Sequence, residues 1–381
     1  MGIKIGVCGI GRFSPGFVRF WKAHPQVGEV VLADLLADRV AKLAEEEGIG
    51  RVYSSLDELC DSDVDAVAIF TQRQLHAPMA VQAMEAGKDV YSAVPIGITL
   101  EEIESVVRAT DRTGQIYMMG ETSYYYPCTI LCREKFQRGE MGEFAYAEAQ
   151  YLHDMEHMYA SFQWSGGDDW KRVAGIPPMF YCSHSVSMAL SVTGAHAVNV
   201  SCLGFEDHHE DAIFRPGANE WDNVFSNQSA LMRTSDGGVA RINEMRRIGF
   251  HGADSVYMSF YGTEACYEQN PAGSSWITKG DGPAEDITRQ VTCTGQEAPF
   301  CGYSPVHAKD RLPDGFEGLP NGHSGSHAFL ADDFVRSCLD RRHPPCNVWS
   351  AARWTIPGLI AHESARHGGQ MMEIPDLGAP P

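Results

Sequence analysis

Four side chains carry proton-moving chemistry at positions that a fold could bring into use. His184 stands at the start of a predicted helix over 185–192. A helix N-terminus favours a neutral imidazole, which suits a base or a hydrogen-bond donor. Buried capping is the other use of a histidine there. Tyr151 lies on a predicted strand with His153 two residues on, so both face the same side. Sheet packing accounts for such a pair equally well. Glu121 falls just after a predicted strand, where a carboxylate could bind sugar hydroxyls or act as an acid or base. The run from Trp164 to Trp170 places two indoles beside Asp168 and Asp169. Aromatic faces with adjacent carboxylates suit a pyranose, and a plain surface loop reads the same way.

A second group speaks of a nucleotide. Lys4–Cys8 is an apolar strand feeding Gly9-Ile10-Gly11-Arg12-Phe13-Ser14, a G-x-G-x-x-G spacing with Ser in the third place. Pro15 suits a first helical turn, and a second apolar strand ends in Asp34, 25 residues after Gly9. Gly9 permits the tight turn, and Gly11 lets a pyrophosphate approach the backbone. The helix N-terminus offers unpaired N–H groups to that anion. Asp34 would accept from the ribose hydroxyls and repel a 2′-phosphate, which favours NAD over NADP. Arg39 is the counter-argument, since an Arg can accept that phosphate.

The elements that must position these residues follow from the pattern. The first 120 residues alternate strand and helix. Asp65–Phe70, Asp89–Ser92 and Gln115–Met119 read as strands, and Thr99-Leu100-Glu101-Glu102 is a capping box. In such doubly wound sheets ligands bind at the carboxyl ends of the strands, here Thr71-Gln72, Ser92 to Pro95 (with Ala93) and Gly120-Glu121. His76 opens the helix after the fourth strand near the cofactor, where a structural cap is the commoner role. Beyond Gly142 the period changes to alternation over 143–153, 197–204, 224–234, 238–244 and 255–262. Residues 266–322 read as long irregular loops, and 325–339 and 350–367 as late helices. The fold class is α/β: an N-terminal Rossmann fold over 1–122, then an α+β domain over 123–381 with a large, mainly antiparallel open sheet. The C-terminal helices are free to pack back on the first domain.

Composition narrows the partners. The chain of 381 residues is 44% hydrophobic, ample for a core, and its net charge of −20 argues against nucleic acid or an anionic membrane. Eleven cysteines, with no C-x-x-C pair, suggest free thiols in a reducing compartment. Strand structure from residue 3 leaves no space for a leader, and no apolar run reaches a membrane span of ~20 residues, so a cytoplasmic protein is expected. His153, Asp154, Glu156 and His157 are ligand-like, but a strand ending there does not assure helical i,i+4 geometry, and no metal is expected. Residues 207–211 read as a solvated turn.

The order of these motifs resembles the Gfo/Idh/MocA oxidoreductases over nearly the whole chain: the glycine fingerprint, Leu75-His76, Ala86-Gly87-Lys88-Asp89-Val90, Pro95, and Gly139-Glu140-Met141-Gly142. Those proteins usually carry Glu-Lys-Pro at the fifth strand's end, the Lys assisting proton transfer. Here the stretch is Ala93-Val94-Pro95. Val94-Pro95, Met118-Met119-Gly120-Glu121, Tyr151-Leu152-His153-Asp154 and Tyr181-Cys182-Ser183-His184 are similar to motifs of glycoside hydrolase family 109, NAD-dependent glycosidases of the same fold. Ala93 in place of an acid and Cys182-Ser183 in place of Pro-Thr are departures.

The resemblance implies NAD as cofactor, held by Gly9, Gly11, Arg12, Phe13, Ser14, Asp34, Arg39, Thr71, Gln72, His76, Ala93 and Pro95. It implies His184, Tyr151, Glu121 and Tyr181 as catalytic residues, and His153, Trp164 and Trp170 are the candidates for substrate binding. The implied reaction oxidises a sugar at C3, eliminates the glycosidic bond after loss of the C2 proton, adds water and re-reduces. A plain sugar or cyclitol dehydrogenase and a non-catalytic sugar or nucleotide sensor are the alternatives. A small sugar or glycoside and a second copy of the chain, as homodimer or homotetramer, are the expected partners.

Overall fold

The computed structural model describes residues 2–249, 256–297 and 301–380. Its chain forms two compact units, one of residues 1–127, 292–352 and 377–381, the other of 128–291 and 353–376.

In the first unit the strands are β1 (Ile3–Cys8), β2 (Val27–Ala33), β3 (Val52–Tyr53), β4 (Ala66–Ile69), β5 (Asp89–Ser92) and β6 (Tyr117–Met119). They pair in parallel in the order β3-β2-β1-β4-β5-β6, the doubly wound topology expected. Helices α1 (Ser14–Ala23), α2 (Ala37–Glu47), α3 (Leu56–Asp61), α4 (His76–Glu85) and α5 (Leu100–Thr113) alternate with them. The central strands β4 and β5 are buried along their whole length. This explains their continuous apolar runs, since parallel strands are covered on both faces. The capping box forms at α5: the Glu102 N–H donates to Thr99 Oγ1 at 3.2 Å, and Ile98 N–H donates back to the Glu102 carboxylate at 2.8 Å.

The second unit is built on nine strands: β7 (Phe144–Leu152), β8 (Ala197–Glu206), β9 (Phe225–Thr234), β10 (Val239–Met245), β11 (Val256–Gly262), β12 (Ala265–Asn270), β13 (Gly273–Thr278), β14 (Glu285–Asp286) and β15 (Met372–Glu373), in the order β14-β13-β12-β11-β7-β10-β9-β8-β15. All pairings are antiparallel except β7 with β10. Helix α6 (Pro127–Gln137) leads into β7, and α7 (Tyr159–Gly166), α8 (Trp170–Ala174) and α9 (Ser183–Leu190) follow it. Helix α9 packs on β7, β10 and β11. Ala147 and Ala149 of β7 and Ala240 and Ile242 of β10 are fully buried. Small residues under a helix let it approach the sheet closely.

Three expectations are corrected. Residues 266–322 are not uniformly irregular, because β12 and β13 make a hairpin closed at Gly273 (φ +146°) with Tyr267 and Trp276 buried. The 164–170 run is helical rather than a loop, and Ser255 of the expected 255–262 strand lies outside the described residues. The 207–211 turn is not simply solvated. Asp207 is buried and pairs with Arg247 at 3.2 Å, and Asp211 pairs with the same guanidinium at 2.8 Å. After α10 (Thr288–Val291), helices α11 (Gly322–Asp340) and α12 (Val348–Arg366) close the chain. In α11, residues 323–325 leave helical geometry.

Candidate active site

In the first unit the glycine turn has the properties a dinucleotide needs. Gly9 sits at φ +95°, and a Cβ there would meet the Phe70 carbonyl carbon at 2.7 Å. Gly11 faces open space, with nothing within 4 Å of a Cβ built on it. No side chain caps the start of α1, so its first N–H groups have no side-chain acceptor. Ser14 is buried in that first turn, and Phe13 is half exposed beside it. Arg12 lies at the turn, and Arg39 is half-buried on α2. Asp34 ends β2 and accepts from the N–H of Ile10 at 2.6 Å and of Leu36 at 2.9 Å. One carboxylate therefore braces the glycine turn that it was expected to serve only through a ribose. These residues fit NAD.

The other first-unit residues sit at the carboxyl ends of strands as expected. Thr71 and Gln72 follow β4, and Ala93 and Pro95 follow β5. His76 is fully enclosed, its Nδ1 2.8 Å from the Pro95 carbonyl and its Nε2 3.1 Å from that of Thr71. Burial keeps its pKa below the ordinary histidine value. A neutral ring has one N–H, and the shorter contact assigns it to Nδ1. His76 therefore ties the start of α4 to the loop at residue 95 through one hydrogen bond, with its other nitrogen packed against the Thr71 carbonyl. Glu121 follows β6, is wholly buried, and accepts from the Ser123 N–H at 3.0 Å.

In the second unit the structure brings four of the singled-out residues together. The rings of Tyr151 and His153 stack at 4.9 Å and 3°. Tyr151 lies 5.6 Å from His184 and 6.3 Å from Tyr181, and Tyr181 lies 5.2 Å from His184, all between ring centroids. Tyr151 comes from β7, Tyr181 from a short 3-10 turn over 178–181, and His184 from the first turn of α9.

Two members of this cluster were missed. Glu244 is fully buried at the end of β10, in register with Tyr151. Arg246, 5% exposed, lies over the Tyr151 ring at 4.8 Å and the Tyr181 ring at 5.9 Å. Arg246 donates to Glu244 Oε2 at 2.7 Å, and Ser185 Oγ donates to Oε1 at 2.5 Å. Burial pushes the Glu244 carboxyl up to about 7, against the pull of Arg246 and Ser185. The signal was present in the sequence. Ala240, Ile242 and Glu244 occupy one face by period two, and a Glu continuing an apolar face needs a partner inside the protein.

The remaining substrate candidates are placed differently. Trp164 is 64% exposed. Trp170 packs against Ala174, Ile213 and Phe214 with Tyr159, a small apolar cluster that accounts for it without a sugar. Asp154 gives both carboxylate oxygens to backbone N–H groups, of Glu156 at 2.9 Å and Ile248 at 3.1 Å. Among the described residues no group of three or more His, Cys, Asp or Glu is arranged to hold a metal ion. Nor is any helix among them long and apolar enough to cross a membrane.

Comparison with known proteins agrees with the fold. Residues 3–121 match the Gfo/Idh/MocA family model, described as an oxidoreductase family with an NAD-binding Rossmann fold. A glycosyl hydrolase family 109 protein of Bacteroides thetaiotaomicron is 24% identical over 98% of this chain and 84% of its own length. One from Porphyromonas gingivalis is 32% identical over 41% of this chain and 36% of its own. Among solved structures, levoglucosan dehydrogenase in complex with NADH superposes with a TM-score of 0.79 at 18% identity, covering 99% of this chain and all of that one. Myo-inositol 2-dehydrogenase from Lactobacillus plantarum gives 0.70 at 17% identity, covering 98% and 100%.

Residues 3–121 are those of an NAD-binding Rossmann fold of the Gfo/Idh/MocA type, with NAD as cofactor, and the comparisons together support an NAD-dependent enzyme. The relatives that match over nearly the full chain include glycosyl hydrolase family 109 proteins.

Proposed function

We propose that this protein cleaves a glycoside by transient oxidation at C3, elimination and re-reduction, with no net redox change. The observation that carries the reading is the Tyr151, Tyr181 and His184 cluster on a buried Arg246–Glu244 pair, in a chain with Val94 where dehydrogenases of this plan keep a lysine. Gly9, Gly11, Ser14 and Asp34 hold the nucleotide, with His76 anchoring the loop at residue 95. When bound, NAD supplies the hydride acceptor for C3 and the hydride that restores it. His184 takes the proton of the C3 hydroxyl, the task left open by Val94. Tyr151 removes the C2 proton, which a neighbouring ketone has acidified. Glu121 is assigned the proton needed by the departing oxygen, and His153 and Tyr181 contact the sugar.

Turnover of a panel of aryl glycosides in D₂O tests this. The expected result is released aglycone, deuterium at C2 of the product sugar and no net NADH. Net NADH with no label at C2 would leave the second reading, a sugar or cyclitol dehydrogenase. That reading is favoured by the full-length likeness in fold to levoglucosan and myo-inositol dehydrogenases. A sensor would bind the sugar and do neither.

A second copy of the chain is the proposed partner. Leu203, Phe205 and Leu231 stand 64%, 59% and 53% exposed on the adjacent strands β8 and β9. Apolar side chains grouped on an open sheet face favour a cover.

A further inference from the structure

A buried ion pair stands behind the proton-transfer cluster, and its geometry gives it a task. Arg246 Nη2 donates to Glu244 Oε2 at 2.7 Å and to the Pro178 carbonyl at 3.3 Å. Pro178 opens the turn that presents Tyr181. The guanidinium lies over two tyrosine rings, 4.8 Å from that of Tyr151 and 5.9 Å from that of Tyr181. Glu244 is the register neighbour of Tyr151 across β10 and β7, and its other oxygen accepts from Ser185, the residue after His184. One pair of charges thus reaches every element of the cluster: β7, β10, the 178–181 turn and α9.

Stability alone does not explain this arrangement. Apolar residues of similar volume commonly serve as well as a buried ion pair or better. The position of the cation over an aromatic face does have a chemical effect. A cation is drawn to an aromatic face, and more strongly once the phenol has become phenolate.

We propose that Arg246 is a positioning residue that fixes Tyr151 and Tyr181 and favours the phenolate of Tyr151, with Glu244 limiting how much of that charge Tyr151 feels. This rests on Tyr151 as the proton-transfer group of the reading above. Among the described residues, Tyr151 is faced by His153 on its own strand, Tyr181 on the turn and His184 on α9, and by Glu244 and Arg246 at the end of β10. Two of them carry opposite charges at the alkaline pH where a tyrosine titrates. Removing each must therefore move Tyr151 in opposite directions, an outcome that a purely structural role does not produce.

The experiment is a pH titration of the full-length protein with tyrosines labelled at the ring carbon bearing oxygen, followed by carbon NMR. Tyr151→Phe assigns the resonance. Arg246→Met is expected to raise the Tyr151 pKa by about one pH unit or more. Glu244→Gln keeps the shape and is expected to lower it, while Arg246→Lys keeps the charge and restores most of the wild-type value. Shifts of the same sign in Arg246→Met and Glu244→Gln, or no shift in either, overturn the proposal. Should Arg246→Met fail to fold, Glu244→Gln decides alone, and an unmoved or raised Tyr151 overturns it. Opposite-signed shifts in a protein whose Tyr151→Phe variant keeps full turnover would retain the electrostatic role and refute the catalytic one.

Discussion

The two units present ligand chemistry by opposite means. In the first, the nucleotide surface is mostly backbone: a glycine at φ +95°, a glycine open to space, and the uncapped start of α1. In the second, the proposed reactive surface is all side chain, assembled from residues 151, 181, 184, 244 and 246 on four separate elements. A backbone site is written in one continuous stretch of sequence and tolerates change at most positions except its glycines. A side-chain site is written in fragments, and each fragment is a single residue that cannot be exchanged without loss.

If that division is real, the largest effects separate by unit. Tyr151→Phe and His184→Ala are each expected to slow turnover by ~10²–10⁴-fold, the usual worth of an acid–base partner. NAD affinity, followed by fluorescence titration, should stay within about twofold, since the residues assigned to the nucleotide all belong to the first unit. An equal loss of NAD binding would break the comparison.

The two glycines sharpen it within the first unit. Gly11→Ala adds a methyl where the protein leaves open space, so thermal stability should hold while NAD affinity falls by about tenfold or more, the methyl occupying the pyrophosphate's approach. Gly9→Ala adds one at φ +95° against the Phe70 carbonyl. It should cost about 2 kcal/mol or more of folding stability. Calorimetry and NAD titration on both variants check this. A Gly11→Ala protein that binds NAD normally would remove the backbone site from that turn.

The same contrast explains what was legible in the sequence. The first unit's doubly wound class followed from apolar runs, Gly9, Gly11 and Asp34, because each feature acts locally. Asp34 carried a second duty that the sequence hid, bracing Ile10 and Leu36, since a carboxylate's partners are set by the turn it meets. In the second unit Tyr151, Tyr181 and His184 were legible only as separate residue types or through resemblance. Their convergence depends on α9 packing on β7, a long-range event with no local mark. Glu244 and Arg246 were passed over because strand-end charges usually face water. The β12–β13 hairpin was missed because its glycine and proline turn masked a short alternating run.

The smallest effect, and the one that tests the second unit's interior directly, is the pH dependence of stability. Burial holds Glu244 up at about 7 in the folded protein, whereas an unfolded glutamate titrates near ~4.3. Between those values the folded state carries a proton on Glu244 that the unfolded state has lost. The unfolding free energy from this group therefore falls as pH rises from about 4.3 to 7 and is level outside that window. Asp333 in the first unit, also raised by burial to about 7, acts with the same sign. His307 and His362 act oppositely: burial lowers both to about 4. They cost stability as pH falls below about 6.5, where the unfolded imidazole takes up its proton. The raw profile of the protein is thus a sum of opposing slopes, and the difference between variants isolates each one. Urea unfolding at half-unit steps from pH 4.5 to 8 should show Glu244→Gln gaining on wild type as pH rises. The gain should be on the order of 1–3 kcal/mol and complete near pH 7.5. Asp333→Asn should show a parallel gain that adds to it, because the two carboxyls lie in separate compact units. A Glu244→Gln difference that is flat with pH would mean that Glu244 stays ionised against Arg246 throughout. The second unit's site would then rest on a permanent ion pair.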